Sequence, residues 1–228
     1  MALARRNFSI ALLGAGFGAA VTALPARAEV KWPAEGVHYA RLEQPLPAAA
    51  RGKIEVIEFF WYECPHCNAF EPSLEAWSLK LPPDVVLHRV PVWFQEVPFA
   101  AQQRLYYTIE TLGLTSTLHR RVFAAIHDDH ARLRTTEDIA AFALKNGVDP
   151  VKFMSTYGSP EVTALSLQAR QLADAYKIDA VPAMGVQGRY YTNGNLANAG
   201  LPAKGPAVGN ERLLGVVDAL VARVRKPG

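Results

Sequence analysis

The chain has two cysteines, Cys64 and Cys67, and they stand where one hydrophobic period gives way to another. Before them, Lys53 to Trp61 reads KIEVIEFFW, an apolar, β-branched and aromatic run of strand length that predicts a buried central strand. After them, Phe70, Leu74, Trp77 and Leu81 recur at steps of four, three and four, the spacing of one helix face. The cysteine pair therefore sits where a strand hands over to a helix. Within one chain the two can bond only to each other, and a bridge closing so short a loop gains little chain entropy. Stabilisation is a poor reason for this pair, which leaves reactivity.

The compartment favours the same reading. Arg5 and Arg6 precede an uncharged run from Phe8 to Leu24, and Ala26-Arg27-Ala28 follows in a small-x-small pattern, the layout of a secretory signal peptide over residues 1–28. A membrane anchor is the alternative for such a run, but its Gly, Ser and Thr content and the cleavage-like triplet argue against it. Arg5-Arg6-Asn7-Phe8 also hints at twin-arginine export. Export would place the cysteines where disulfides persist. Removing residues 1–28 takes the formal charge from +3 to zero, so the mature chain has no basic excess to hold a nucleic acid.

Further along, Pro65 suits a first helical turn. Pro72 falls inside the helix, where it removes the bond to the Asn68 carbonyl and predicts a kink, and Pro82-Pro83 is expected to stop it. Val85 to Phe94 reads as a second core strand, with Pro91 placing its end at an edge or bulge. From Pro98 to about Ile178 the period is helical, through Leu105, Ile109 and Leu112, then Leu118, Val122 and Ile126, then Ile139, Phe142 and Ala143. Thr135 with Asp138 has the form of a capping pair, Gly147 of a helix stop, and Asp149-Pro150 and Ser159-Pro160 of helix starts. Ala183 to Gln187 and Arg189 to Thr192 predict a hairpin turning at Gly188. Asn193 to Asn210 reads as a loop, and Glu211 to Arg225 as an amphipathic helix.

A cysteine at a helix N-terminus faces unpaired backbone N–H groups and the positive end of the helix dipole, both of which favour thiolate over thiol. Cys64 holds that position, with an expected acidity well beyond the ordinary thiol value of about 8.5. Cys67, on the same face, can resolve a mixed disulfide formed at Cys64. His66 can offer the thiolate a hydrogen bond or a positive charge. Zinc would need four ligands where the chain offers this pair and scattered His88, His119, His127 and His130. Haem attachment through C-x-x-C-H is excluded by Asn68.

The segment E-F-F-W-Y-E-C-P-H-C-N-A-F-E-P, Glu58 to Pro72, together with A-V-P-A-M, Ala180 to Met184, resembles the DsbA branch of the thioredoxin superfamily, and the likeness runs over about residues 36–225. It implies an α/β, thioredoxin-like fold with an inserted helical domain: a thioredoxin-like domain over 29–97 and 179–228, and the insertion over 98–178. It further implies a cis Val181–Pro182 bond beside the cysteines, with the Val181 backbone pairing an extended substrate segment. The expected catalytic set is Cys64, Pro65, His66, Cys67, Pro182 and Glu58, with Glu58 a buried carboxylate that assists proton transfer at Cys67. Val181 and Pro182 would bind substrate.

The expected activity is donation of the Cys64–Cys67 disulfide to reduced exported polypeptides in the periplasm by a monomer that needs no bound cofactor and no metal. Re-oxidation would come from a DsbB-like, quinone-linked membrane oxidase. A disulfide reductase or isomerase and a noncatalytic polypeptide-binding holdase are the alternatives. A dimeric isomerase carries an N-terminal dimerisation domain for which residues 29–52 leave no room, and a holdase gives no reason for C-x-x-C. Two departures from the family stand out. Its buried lysine on the next strand has no lysine counterpart here, where His88 and Arg89 stand nearby. Glu63 puts an acid beside Cys64, which would raise the thiol's pKa. Trp61 and Tyr62 are read as core or rim packing rather than a substrate groove.

Overall fold

In the structure, a computed structural model, residues 32–47, 52–92 and 100–225 are described. The expected leader and the end of the strand expected over 85–94 lie outside them. After a short strand β1 (Ala40–Arg41), the apolar run forms β2 (Ile54–Phe60), every residue of which is buried. Helix α1 (Pro65–Ser78) follows, and β3 (Val85–Pro91) pairs parallel to β2. β3 is an edge strand, which suits Pro91, a residue that lacks the donor an inner strand would require.

α1 continues through Pro72 but ends at Ser78, ahead of the expected stop at Pro82-Pro83. Exposed Leu79 is the C-cap, its N–H still donating to Glu75 O, and Lys80 and Leu81 then close the helix with tighter turns onto Trp77 O and Ser78 O. Phe70 and Leu74 are fully buried beneath it, each worth about 1.5–3 kcal/mol relative to exposure.

Five helices follow: α2 (Ala100–Thr111), α3 (Thr115–His127), α4 (Thr136–Lys145), α5 (Pro150–Tyr157) and α6 (Pro160–Ala175). The expected punctuation is present at atomic level. Thr135 and Asp138 form a reciprocal capping box, and Asp149 and Ser159 cap helices that begin with proline. Gly147 adopts φ +75° after α4.

The chain then returns to the sheet through β4 (Ala183–Val186) and β5 (Tyr190–Asn193). Their turn places Gln187 and Gly188 at φ +54° and +60°, the left-handed pair that a two-residue hairpin turn with the strands' twist requires. A side chain at Gly188 would meet Leu46 O at 2.2 Å. Within the stretch read as loop, Asn193 caps a four-residue helix, α7 (Gly194–Ala197), and α8 (Pro206–Arg225) begins five residues before the expected Glu211. One turn is too short to show a period, and the Gly- and Pro-containing start of α8 reads as loop by composition.

The sheet order is β1-β5-β4-β2-β3, antiparallel except at β2–β3. Alternation along β2 divides the core. Ile54 and Val56 pack with α1 and α8 through Leu74, Leu213 and Val217. Ile57 and Phe59 face the opposite side, whose cluster runs through Leu105, Val122, Phe142 and Phe153 of the helical stretch. The described residues from 32 onward belong to one compact unit. Both layers meet at the C-terminal end of β2, where the cysteines stand.

Candidate active site

At the end of β2 the chain turns sharply: Cys64 N–H donates to Trp61 O at 3.0 Å, and Cys64 O accepts the first helical bond, from Asn68 N, at 3.1 Å. Cys64 is thus the N-cap of α1, in an extended conformation, with Pro65 at the first helical position. Its sulfur makes no capping hydrogen bond of normal geometry, yet the N–H groups of His66 and Cys67 face it closely enough to stabilise a thiolate. Both cysteines are free thiols. Cys64 keeps 7% exposure and Cys67 none, so only Cys64 can meet a partner from solvent.

Their acidities are driven apart. The Cys64 thiol is lowered to about 6, first by a hydrogen bond from the Cys67 thiol and then, against the penalty of burial, by the N–H groups of Cys67 and His66 and the His66 charge. The Cys67 thiol is pushed well up by burial, by its hydrogen bond and charge interaction with Cys64, and in smaller part by Glu58. His66 and Pro65 are exposed. The Cys64 thiol donates to Val181 O at 3.5 Å, and the Val181–Pro182 bond is cis, with Pro182 buried. The strand end, the helix start and the turn before β4 thus converge on one sulfur. Beside it, His66, Val181, Pro182, Asn195, Leu201 and Arg212 border a groove of about 760 Å³.

Under the cysteines lies a polar network that the sequence reading only partly foresaw. Glu58 is fully buried and pairs in register with Arg89 on β3, whose Nε stands 3.2 Å from Glu58 Oε2. The same guanidinium donates from Nη2 to Glu71 Oε1 at 2.8 Å. His119 Nε2 lies 3.4 Å from Glu71 Oε1, and its Nδ1 is 2.8 Å from the Tyr62 hydroxyl. A ring facing a carboxylate through Nε2 carries its proton there, so Nδ1 accepts from Tyr62. Burial and the neighbouring Glu71 raise Glu58 well above the ordinary carboxyl range, with Arg89 opposing. Burial also works against Glu71, but His119 and Arg89 outweigh it and hold its carboxyl low. Burial keeps the His119 ring neutral.

Arg89 thus stands beside Glu58, while neighbouring His88 turns to Glu55, 2.9 Å from Nδ1 to Oε1. Glu71 and His119 were missed. One signal was available for Glu71: it lies four residues after Cys67, on the helix face that buries Phe70 and Leu74. His119 sits on an apolar helix face too, but nothing in the pattern links it to Glu71 across 48 residues. Tyr62 is core, packed on Phe60 and Phe123 at ring separations of 5.1 and 4.9 Å. Glu63, the expected liability beside Cys64, is bound by Arg134 through both carboxylate oxygens.

Comparison with known proteins agrees with this geometry. A family model for the DSBA-like thioredoxin domain matches residues 85–213. The chain is 40% identical over 211 residues to the thiol:disulfide interchange protein DsbA of Azotobacter vinelandii, covering 91% of this chain and 94% of that protein. It is also 40% identical over 190 residues to the protein of the same description from Pseudomonas aeruginosa, covering 83% and 85%. The crystal structure of Pseudomonas aeruginosa DsbA superposes with a TM-score of 0.76 at 39% identity, over 84% of this chain and 94% of that one. The chain belongs to the DSBA-like thioredoxin domain family and is a thiol–disulfide oxidoreductase with the thioredoxin-like fold of that family.

Proposed function

We propose that the oxidised protein donates its Cys64–Cys67 disulfide to reduced exported polypeptides and so assists oxidative folding in the periplasm. The observation that carries the reading is the pair of unequal cysteines, an accessible one lowered to about 6 and a buried one pushed up. A substrate thiolate attacks Cys64 Sγ, the Cys64–Cys67 bond breaks, and Cys67 leaves and takes a proton. A second substrate thiolate then attacks the substrate sulfur of the mixed disulfide and expels Cys64. Two electrons pass from substrate to enzyme; one of the two protons the substrate thiols give up ends on Cys67 and the other goes to solvent, because Cys64 leaves as a thiolate. The low pKa makes Cys64 the better leaving group in the second step, and its stabilised thiolate favours the reduced enzyme, which is what an oxidant needs.

In this reading Glu58, protonated beneath the helix, serves as proton donor and acceptor for Cys67. Val181 O, already within reach of Cys64, pairs an extended substrate segment, and Pro182 shapes that edge. Pro65 and His66 complete the motif. Residues 29–97 and 179–228 act as the thioredoxin-like domain, and 98–178 as the helical insertion that covers the active-site end of β2. The enzyme works as a monomer and returns its electrons to a DsbB-like, quinone-linked membrane oxidase.

Brief iodoacetamide treatment of the reduced protein should label Cys64 before Cys67, and Cys64→Ser should abolish exchange. A glutathione-coupled titration should place the pair on the oxidising side of glutathione, each 30 mV being about tenfold in equilibrium. Labelling of Cys67 first would overturn the assignment of roles, and a potential more reducing than that of glutathione would reverse the direction.

A further inference from the structure

The residue immediately before Cys64 is an acid, and a carboxylate there would oppose the thiolate that the enzyme must form. The structure shows what is done with it. Glu63 has a side chain only 14% exposed, and Arg134 grips it by two parallel bonds, Nε to Oε1 at 2.7 Å and Nη2 to Oε2 at 2.6 Å. Gln102 of α2, itself buried, donates a third bond from Nε2 to Oε1 at 2.8 Å. A planar guanidinium presents just this two-pronged fork to a carboxylate, which an ammonium cannot do.

The clamp is built rather than incidental. Arg134 directly precedes the cap of α4, and its backbone N–H, like that of Thr135, reaches Asp138 Oδ2 at 3.3 Å. Leu133 before it is buried and held at φ +46°, a conformation that non-glycine residues adopt only under constraint. Gln102 also donates to Arg132 O at 3.1 Å, tying α2 to the same loop. One residue back, His127 of α3 contacts Tyr62 O at 2.8 Å. Three elements of the helical stretch thus grip the two residues that lead into the nucleophile.

We propose that Arg134 is a positioning residue for disulfide exchange, cancelling the Glu63 charge and fixing the Tyr62–Glu63 backbone so that the helix terminus and His66 act on Cys64 without an opposing carboxylate. The titratable and charged groups that face Tyr62 to Cys64 and their clamp, among the described residues, are His66 and Cys67 on α1, His119 and His127 on α3, Arg134 and Asp138 at the start of α4, and Glu58, Glu71 and Arg89 of the buried network. Only Glu63 sets a negative charge next in sequence to Cys64. The proposal rests on Cys64 being the nucleophile.

The test compares the wild type with Arg134→Ala, Arg134→Lys, Glu63→Gln and the double variant Glu63→Gln/Arg134→Ala as reduced full-length mature protein. Each is titrated by thiolate absorbance against pH and equilibrated with glutathione. Arg134→Ala should raise the Cys64 pKa by about half a unit and weaken the oxidant about threefold in equilibrium. Arg134→Lys, which keeps the charge but loses the fork, should fall between it and wild type. Glu63→Gln should leave the thiol at or below its wild-type value, and the double variant should return it there.

A merely structural clamp would lower stability without moving the thiol, and no rescue would follow from Glu63→Gln. An unchanged Cys64 pKa in Arg134→Ala, or a double variant as shifted as the single one, overturns the proposal. Iodoacetamide mapping of the wild type in the same series separates the two failures. If Cys67 reacts first, the nucleophile assignment is wrong; if Cys64 reacts first and the shifts are missing, only the clamp is.

Discussion

The largest single support of the Cys64 thiolate is the thiol of its own partner, which makes Cys67→Ala an informative perturbation beyond the loss of turnover it must cause. The fall from 9.0 to about 6 at Cys64 corresponds to about 4 kcal/mol. Water at the thiol's exposed edge screens part of that, leaving about 2–4 kcal/mol. A hydrogen bond to a charged group contributes about 1.5–3 kcal/mol, so deleting the Cys67 donor should raise Cys64 by about one to two units, to roughly 7–8. The N–H groups at the helix start remain and should hold it below the free thiol.

His66, whose charge ranks last among the causes, is exposed, so His66→Ala should move Cys64 by about half a unit or less. Thiolate absorbance against pH, with the pH dependence of alkylation as a second reading, gives all three values. A Cys64 pKa in Cys67→Ala within about 0.3 of wild type, or a His66→Ala shift larger than that of Cys67→Ala, would refute the ranking and return the leading role to the histidine.

Two further outcomes concern stability. Glu58 has a folded-state pKa above its unfolded one, so it costs stability as pH rises above the usual carboxyl range. Glu58→Gln should therefore exceed the wild type in urea unfolding, on the order of 1 kcal/mol, with a margin that is larger at pH 7 than at pH 5. A margin that shrinks with rising pH would contradict the direction of the shift. Gly188→Ala should destabilise by about 1–3 kcal/mol, since it adds a methyl group against Leu46 O at a position held at φ +60°, and an unchanged urea midpoint would show that the turn relaxes freely.

How much of this was legible depended on whether a residue's partner was near in sequence. The β2–α1 junction, the caps at Thr135, Asp149 and Ser159, and the hairpin at Gly188 are local devices, and each is written within a few residues. The limits of α1 and α8 differ from the expected ones because the last turn of α1 tightens from Lys80 onward before the prolines are reached, and because the Gly- and Pro-containing start of α8 has the composition of a loop. Glu63 shows the other kind of failure. Its type and position were plain and its danger to the thiolate was foreseen, but its partner lies 71 residues away on the far side of three helices. Arg89 was half visible, since strand register opposite Glu58 is a local consequence once β2 and β3 pair. Its second contact, with Glu71, depends on how α1 packs over the sheet.

Charge counting inside that packed layer decides where a proton resides. Two carboxyls, Glu58 and Glu71, share one guanidinium, and His119 is too buried to add a second charge. Ionising both acids would leave a net negative charge in a region with almost no water, so one of them keeps its proton. Glu71 has the better claim to ionise, with Arg89 Nη2 at 2.8 Å and the His119 ring at 3.4 Å, whereas Glu58 has Arg89 Nε at 3.2 Å alone. The proton therefore stays on Glu58, the carboxyl whose charge is felt at Cys67. On the proposed mechanism Cys67 is expelled in the first chemical step and needs a proton at that sulfur, and a Glu58 carboxylate only partly offset by Arg89 would oppose the step. In this arrangement burial and Glu71 keep Glu58 protonated against the pull of Arg89, which is the state the proposed role at Cys67 requires.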